Sequence, residues 1–315
     1  MLYHWGRVVQ FRWKTQVQSR HLARFCTRWE CLPLYGCLSV CIATTCIVSL
    51  DKFIAYTADV EHIPLPASLN DPFEVMSPHP LVTLAVNQLQ EHLHTQSAWQ
   101  HNFGLGTAHE DTSLKAIGKM FGVLVVTTKE GKRGFLAAFS GKLAGGNHHA
   151  YFVPPVYDSL AQDGFLNQGM LQLEGINTEV REWKEQQAKG LTPQAENRLR
   201  DLKQQRKALS QGLQHQLFES YAFLNTAGQT KNPYEIFGKT PPAGAGECAA
   251  PKLLQYAYKH GLKPIAMAEF WWGVPPTANA ASRNHGAFYP ACEHKCRGVL
   301  GWMMGRITAT KLSNN

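Results

Sequence analysis

Three cysteines carry the clearest chemistry in this chain. Cys248 follows a glycine-rich loop in KTPPAGAGECAAPKLLQYAY (239–258) and stands where a helix should begin. A thiol at a helix N-terminus is favoured as thiolate by the helix dipole. Cys292 and Cys296 stand four apart in YPACEHKC, so on a helix they share a face. Three thiolates plus an imidazole or a water complete tetrahedral zinc. His285 and His294 are the candidate fourth ligands. His294 lies between the two cysteines and must point elsewhere if both ligate from a regular helix, so His285 is preferred. The alternative is that all three are small buried residues, a common fate of free cysteine.

A phosphate loop is a weaker reading of the same stretch. GAGECAAPK lacks the G-x-x-x-x-G-K-[ST] spacing, and no third glycine completes G-x-G-x-x-G. Anion binding at the helix N-terminus stays open. Glu247 and Glu269 are the acids that could shuttle protons near the thiols. Lys252 suits a phosphate near the helix start, against the alternative of a solvated lysine. Trp271 and Trp272 suit stacking on RNA bases. On a strand they point to opposite faces, so at most one lies on a shared platform; core or interface packing is the alternative.

The elements that would hold these residues follow from the hydrophobic pattern. Residues 60–80 contain five prolines and read as an extended leader. In 80–97, Leu81, Leu84, Ala85, Leu89 and Leu93 share a helix face, leaving His92 and His94 on solvated positions. KMFGVLVVTT (119–128), the turn KEGK and RGFLAAFSG (133–141) read as a hairpin. Its nearly continuous apolar runs predict strands buried on both faces and covered by helices. Residues 142–158 form a Gly- and Pro-broken loop with His148 and His149 at the surface. Two leucine-lined runs in 166–221, broken at AKGLTP, predict an antiparallel coiled-coil hairpin, either an arm for a partner or a spacer. Then come a helix over Pro251–His260, a strand over 263–273, a loop over 274–290 and a closing helix over 291–307.

The fold expected is α/β: a small mixed sheet flanked by helices, with the helical hairpin inserted. Its parts are 51–165 and 222–307, with the insert at 166–221 and a tail at 308–315. Residues 1–50 carry six basic residues against Glu30, which is +5 of the net +8, so the body is only mildly basic. The uncharged run 31–50 is long enough to cross a bilayer. It also resembles an Arg-rich leader, and a dispensable or non-native extension is the further alternative. Five of the eight cysteines (26, 31, 37, 41, 46) fall there. The other three cannot form a paired disulfide framework, which suggests a reducing, cytoplasmic setting.

The order of elements resembles the zinc-dependent nucleoside deaminases. In that family a His- or Cys-x-Glu helix start and a P-C-x-x-C helix start bind zinc, and the Glu shuttles protons. Here Ala250 stands at the Glu position, and P-A-C-x-x-x-C has an extra residue on each side of its first cysteine. The resemblance therefore implies a degenerate, inactive relative. Longer strings resemble a second family: WQHNFGL, GKMFGVLVV, GFLAAFSGKLA, FVPPVYD, KTPPAGAGECAAPKLLQYAYKHGLKPIAMAEFWWG and YPACEHKC. They are similar to the N-terminal region of long bacterial RluA-type RNA pseudouridine synthases, over residues 60–305 and including a shortened coiled coil. In that family a catalytic domain follows, with an H-R-L-D motif whose Asp attacks the uridine site. This chain has no such motif. The resemblance implies an accessory role in uridine modification of tRNA or rRNA, with RNA or a synthase catalytic domain as partner. It requires no cofactor, and a structural zinc is the one metal the thiols suggest. A zinc-dependent hydrolase or deaminase and a membrane-anchored interaction protein are the rival readings.

Overall fold

The computed structural model describes residues 50–74, 77–99, 101–105, 117–187, 190, 193–276 and 283–305. The expectations for residues 1–49 and for the C-terminal tail lie outside these residues. The described residues all belong to the unit that begins at Val48.

The chain runs β1 (Ile54–Ala55), α1 (Pro80–Thr95), β2 (Lys119–Thr127), β3 (Arg133–Phe139), α2 (Phe165–Gln187), α3 (Pro193–Glu219), β4 (Phe223–Leu224), β5 (Thr230–Lys231), α4 (Pro233–Phe237), α5 (Ala249–Lys259), β6 (Lys263–Trp272), β7 (Phe288–Tyr289) and α6 (Glu293–Met303). Five strands form one sheet in the order β1-β3-β2-β6-β7, and every neighbouring pair is antiparallel. This corrects the mixed sheet expected from the sequence. β3 and β6 run parallel to each other and are joined through α5, but β2 lies between them and opposes both. The crossover thus skips a strand and produces no parallel pair. Pro264 has no N–H for the ladder, and the β2–β6 register shifts between Val125 and Val126, leaving Ile265 unpaired in a bulge.

The sheet is buried on both faces, as the apolar runs of β2 and β3 predict. Phe121, Val123, Val125, Phe135, Phe139, Phe270 and Trp272 pack under α1 through Leu81, Val82, Ala85, Val86, Leu89 and Leu93. Leu124, Val126, Leu136 and Met267 face the other way, onto α5 and α6. β6 ends its pairing with β7 early, and Asn70 takes the place of a strand along its free edge. Its Nδ2 donates to Met267 O at 3.1 Å, and Met267 N–H donates to its Oδ1 at 2.8 Å. The exposed edge is thereby covered.

α2 and α3 form the expected antiparallel hairpin. Gly169 lies against Leu213 at one end, and Arg198 pairs with Glu179 toward the other. Val180, Leu199 and Leu202 make a small core of their own with Ile176 and Trp183. Of the histidines of α1, His92 departs from the solvated expectation. His92 stacks on Tyr151 with ring centroids 3.7 Å apart, and its Nε2 is buried without a partner. His94 is exposed as expected, and its ring meets the edge of Trp272 at 4.9 Å. The loop histidines hold contacts too: His148 pairs with Asp158 at 3.0 Å, and His149 bonds Leu143 O at 2.9 Å.

Candidate functional site

The site is built where α5 starts. Gly244 and Gly246 adopt φ 77° and 87°, the left-handed region that glycine tolerates. A Cβ on Gly246 would lie 2.3 Å from Phe223 Cζ, so the loop has room only for glycine there. The helix begins at Ala249 with Cys248 as its N-cap, two residues before the start expected at Pro251. Pro251 falls in the first turn, where its missing N–H costs nothing. The sheet accepts this end of the helix at Gly122. A Cβ there would stand 2.9 Å from Ala249 Cβ and 3.2 Å from Leu253 Cδ1.

An N-cap side chain ordinarily accepts a bond from the first turn. Cys248 does not. Two other elements take those amides. Ala249 N–H donates to Ser140 Oγ at 3.3 Å, and Ala250 N–H donates to Glu269 Oε1 at 3.0 Å. The Cys248 thiol is left free to meet sulfur. Cys248 and Cys292 both pack against the core cluster that holds Cys296, and the Cys248 thiol feels both of the other sulfurs. Cys292 is the N-cap of α6, also without a cap bond, and Cys296 is fully buried one turn further on. The structure therefore brings together the three thiols singled out in the sequence, and all three are free. Among the described residues, no group of three or more His, Cys, Asp or Glu is already arranged to hold a metal ion.

Glu269 is the acid of this cluster. It is only 7% exposed, and burial pushes its carboxyl up to about 7, against the pull of the Ala250 N–H. The Cys292 side raises it further, and Arg283 lowers it. On Cys248 the contact with Cys292 lowers the thiol pKa. The contact with Cys296, burial and the nearby Glu269 outweigh it, and the thiol ends well above its usual range. For Cys292, the Cys248 contact and burial act together to raise it.

Lys252 lies one turn below Cys248 on α5. It is 2% exposed, contrary to a solvated lysine or one offered to phosphate. Its Nζ donates to Phe139 O and Gly141 O, each at 3.0 Å, where β3 runs out of ladder partners. Burial pulls its pKa down to about 8. Glu247 is committed elsewhere: its carboxylate accepts from the Tyr221 hydroxyl. Burial and then Glu247 hold that hydroxyl far above the usual tyrosine range.

His285 does not join the thiols. Its Nδ1 accepts from Gly273 N–H at 2.9 Å, and its ring, itself exposed, lies 4.3 Å from Trp272, which packs into the core on the α1 face of the sheet. Glu269, rather than His285, is the acid or imidazole that acts on the Cys248 and Cys292 thiols. Trp271 and Trp272 point to opposite faces, as strand periodicity requires. Trp272 is buried; Trp271 is half-buried, with its Nε1 donating to Val274 O at 3.2 Å. Ser140 was missed in the sequence, and only its position at the end of an apolar strand could have drawn attention to it.

No protein-family model matches this chain, nor does any curated protein or solved structure. Among the described residues, no helix is long and apolar enough to cross a membrane.

Proposed function

We propose that this chain is an accessory module of an RluA-type RNA pseudouridine synthase system, serving uridine modification in tRNA or rRNA. It positions RNA or a synthase catalytic domain and does not isomerise uridine by itself. The observation that supports this reading is the run of long strings resembling that family. They form β2, β3, α5, β6 and the start of α6, which pack as one sheet-and-helix unit. The 315 residues contain no H-R-L-D, so no residue here is assigned the attacking aspartate. The order of elements, with cysteines heading α5 and α6, adds a fold-level analogy to the zinc deaminases, and fold-level analogy carries no activity.

Lys252 gives no support to RNA contact, because its ammonium is turned inward. Trp271, half-buried at the end of β6, is the aromatic residue left for that role. The test is direct. Purified protein incubated with unmodified tRNA and rRNA should form no pseudouridine above background. Robust formation overturns the proposal.

A further inference from the structure

The thiol cluster goes beyond the RNA-modification reading and does not rest on it. Free cysteines usually bury singly as small apolar groups. Here three converge from two helices beside a buried carboxyl and a buried ammonium. Both N-cap thiols are released from capping, and on α5 this happens because Ser140 and Glu269 occupy the first amides. A pair of thiols would suit a disulfide; the third, Cys296, fully buried and also in contact with Cys248, has no use in one.

We propose that Cys248, Cys292 and Cys296 bind one zinc ion through their sulfurs, with Glu269 flanking the fourth side. Soft thiolates select zinc among the common divalent ions. Binding replaces three S–H protons, which pass to solvent, so affinity rises with pH. It also draws the three sulfurs into a tetrahedral arrangement. Zn²⁺ with three thiolates leaves one net negative charge. Two helix N-termini and the Lys252 ammonium lie around it to balance that charge. Glu269 holds the first turn of α5 through Ala250 and so fixes Cys248, the part that groups around a metal's ligands ordinarily play.

The test uses the full chain, purified reduced and without chelator, with metal content measured by mass spectrometry. Five further cysteines lie in residues 1–50, so the comparison with variants decides. Relative to the parent, C248S/C292S/C296S should lose about one zinc per chain. C292S alone, at a half-exposed position, should lose most of it while keeping the parent circular dichroism. H285A should keep it. E269Q should bind zinc about 10–100-fold more weakly. Cobalt substitution should give a thiolate charge-transfer band that C292S reduces. A difference below about 0.2 zinc per chain between parent and triple variant, against the single site expected, overturns the proposal. So does a Cys248–Cys292 disulfide in the native protein, or an E269Q affinity equal to the parent's. Pseudouridine formation is read separately, so either proposal can fail without the other.

Discussion

Gly122→Ala probes how closely α5 is seated on the sheet, and therefore how Cys248 is placed. The added Cβ would stand 2.9 Å from Ala249 Cβ, 3.2 Å from Leu253 Cδ1 and 3.5 Å from Glu269 Cγ. The nearest of these belongs to the helix's first residue and cannot swing aside, so the first turn must retreat from β2. Overpacking of this kind costs about 1–3 kcal/mol. Restricting the unfolded chain returns about 0.4–1 kcal/mol. The net expectation is a loss of about 1–2 kcal/mol, read by urea unfolding at constant m. Gly175→Ala, in the exposed middle of α2 with nothing within 4 Å, is the matched control. It should raise helix stability by about 0.5–1 kcal/mol. Because Ala249 lies between Cys248 and the amide held by Glu269, G122A should also weaken zinc binding. A G122A protein as stable as the parent would refute this close seating of α5 on β2.

Asn70→Ala should cost about 1–3 kcal/mol, since it removes two bonds to the Met267 backbone. Hydrogen exchange at the Met267 amide should quicken locally, and unchanged exchange would count against the edge-covering role. Burial lowers the pKa of His92 from 6.5, so the folded state favours the neutral ring. Its contribution to stability is present above pH 6.5 and is lost as pH falls through the lowered value. His92→Phe, which keeps an aromatic ring against Tyr151, should flatten the acid limb of the stability–pH curve; a limb identical to the parent's would contradict this.

Much of the scaffold could be read from local pattern. The apolar runs of β2 and β3 required cover on both faces, and α1, α5 and α6 supply it. The alternation of Trp271 and Trp272 followed from the period of a strand. The convergence of Cys248, Cys292 and Cys296 was legible because two helix starts at one end of a sheet can bring their first residues together. What local pattern could not carry was contact between distant segments. Ser140 and Glu269 reach the first turn of α5 from β3 and β6, 109 and 19 residues away along the chain. Lys252 turns inward because the carbonyls of Phe139 and Gly141 lie unpaired at the end of β3, a fact set by where a remote strand stops. The placement of His285 depends on how the chain returns along β6, and its bond to Gly273 sends the ring to the α1 face. The direction of β6 relative to β2 likewise follows from the crossover through α5, which the order of elements alone leaves undetermined.

The proposed module serves pseudouridine formation without catalysing it. Its most direct test is the pseudouridine yield on unmodified tRNA and rRNA, with a separately supplied H-R-L-D catalytic domain of the RluA type at limiting concentration. Background yield is predicted from this chain alone, and a higher yield from the catalytic domain when the chain is added. Pseudouridine formed by the chain alone, or a catalytic-domain yield unchanged by its addition, would contradict it.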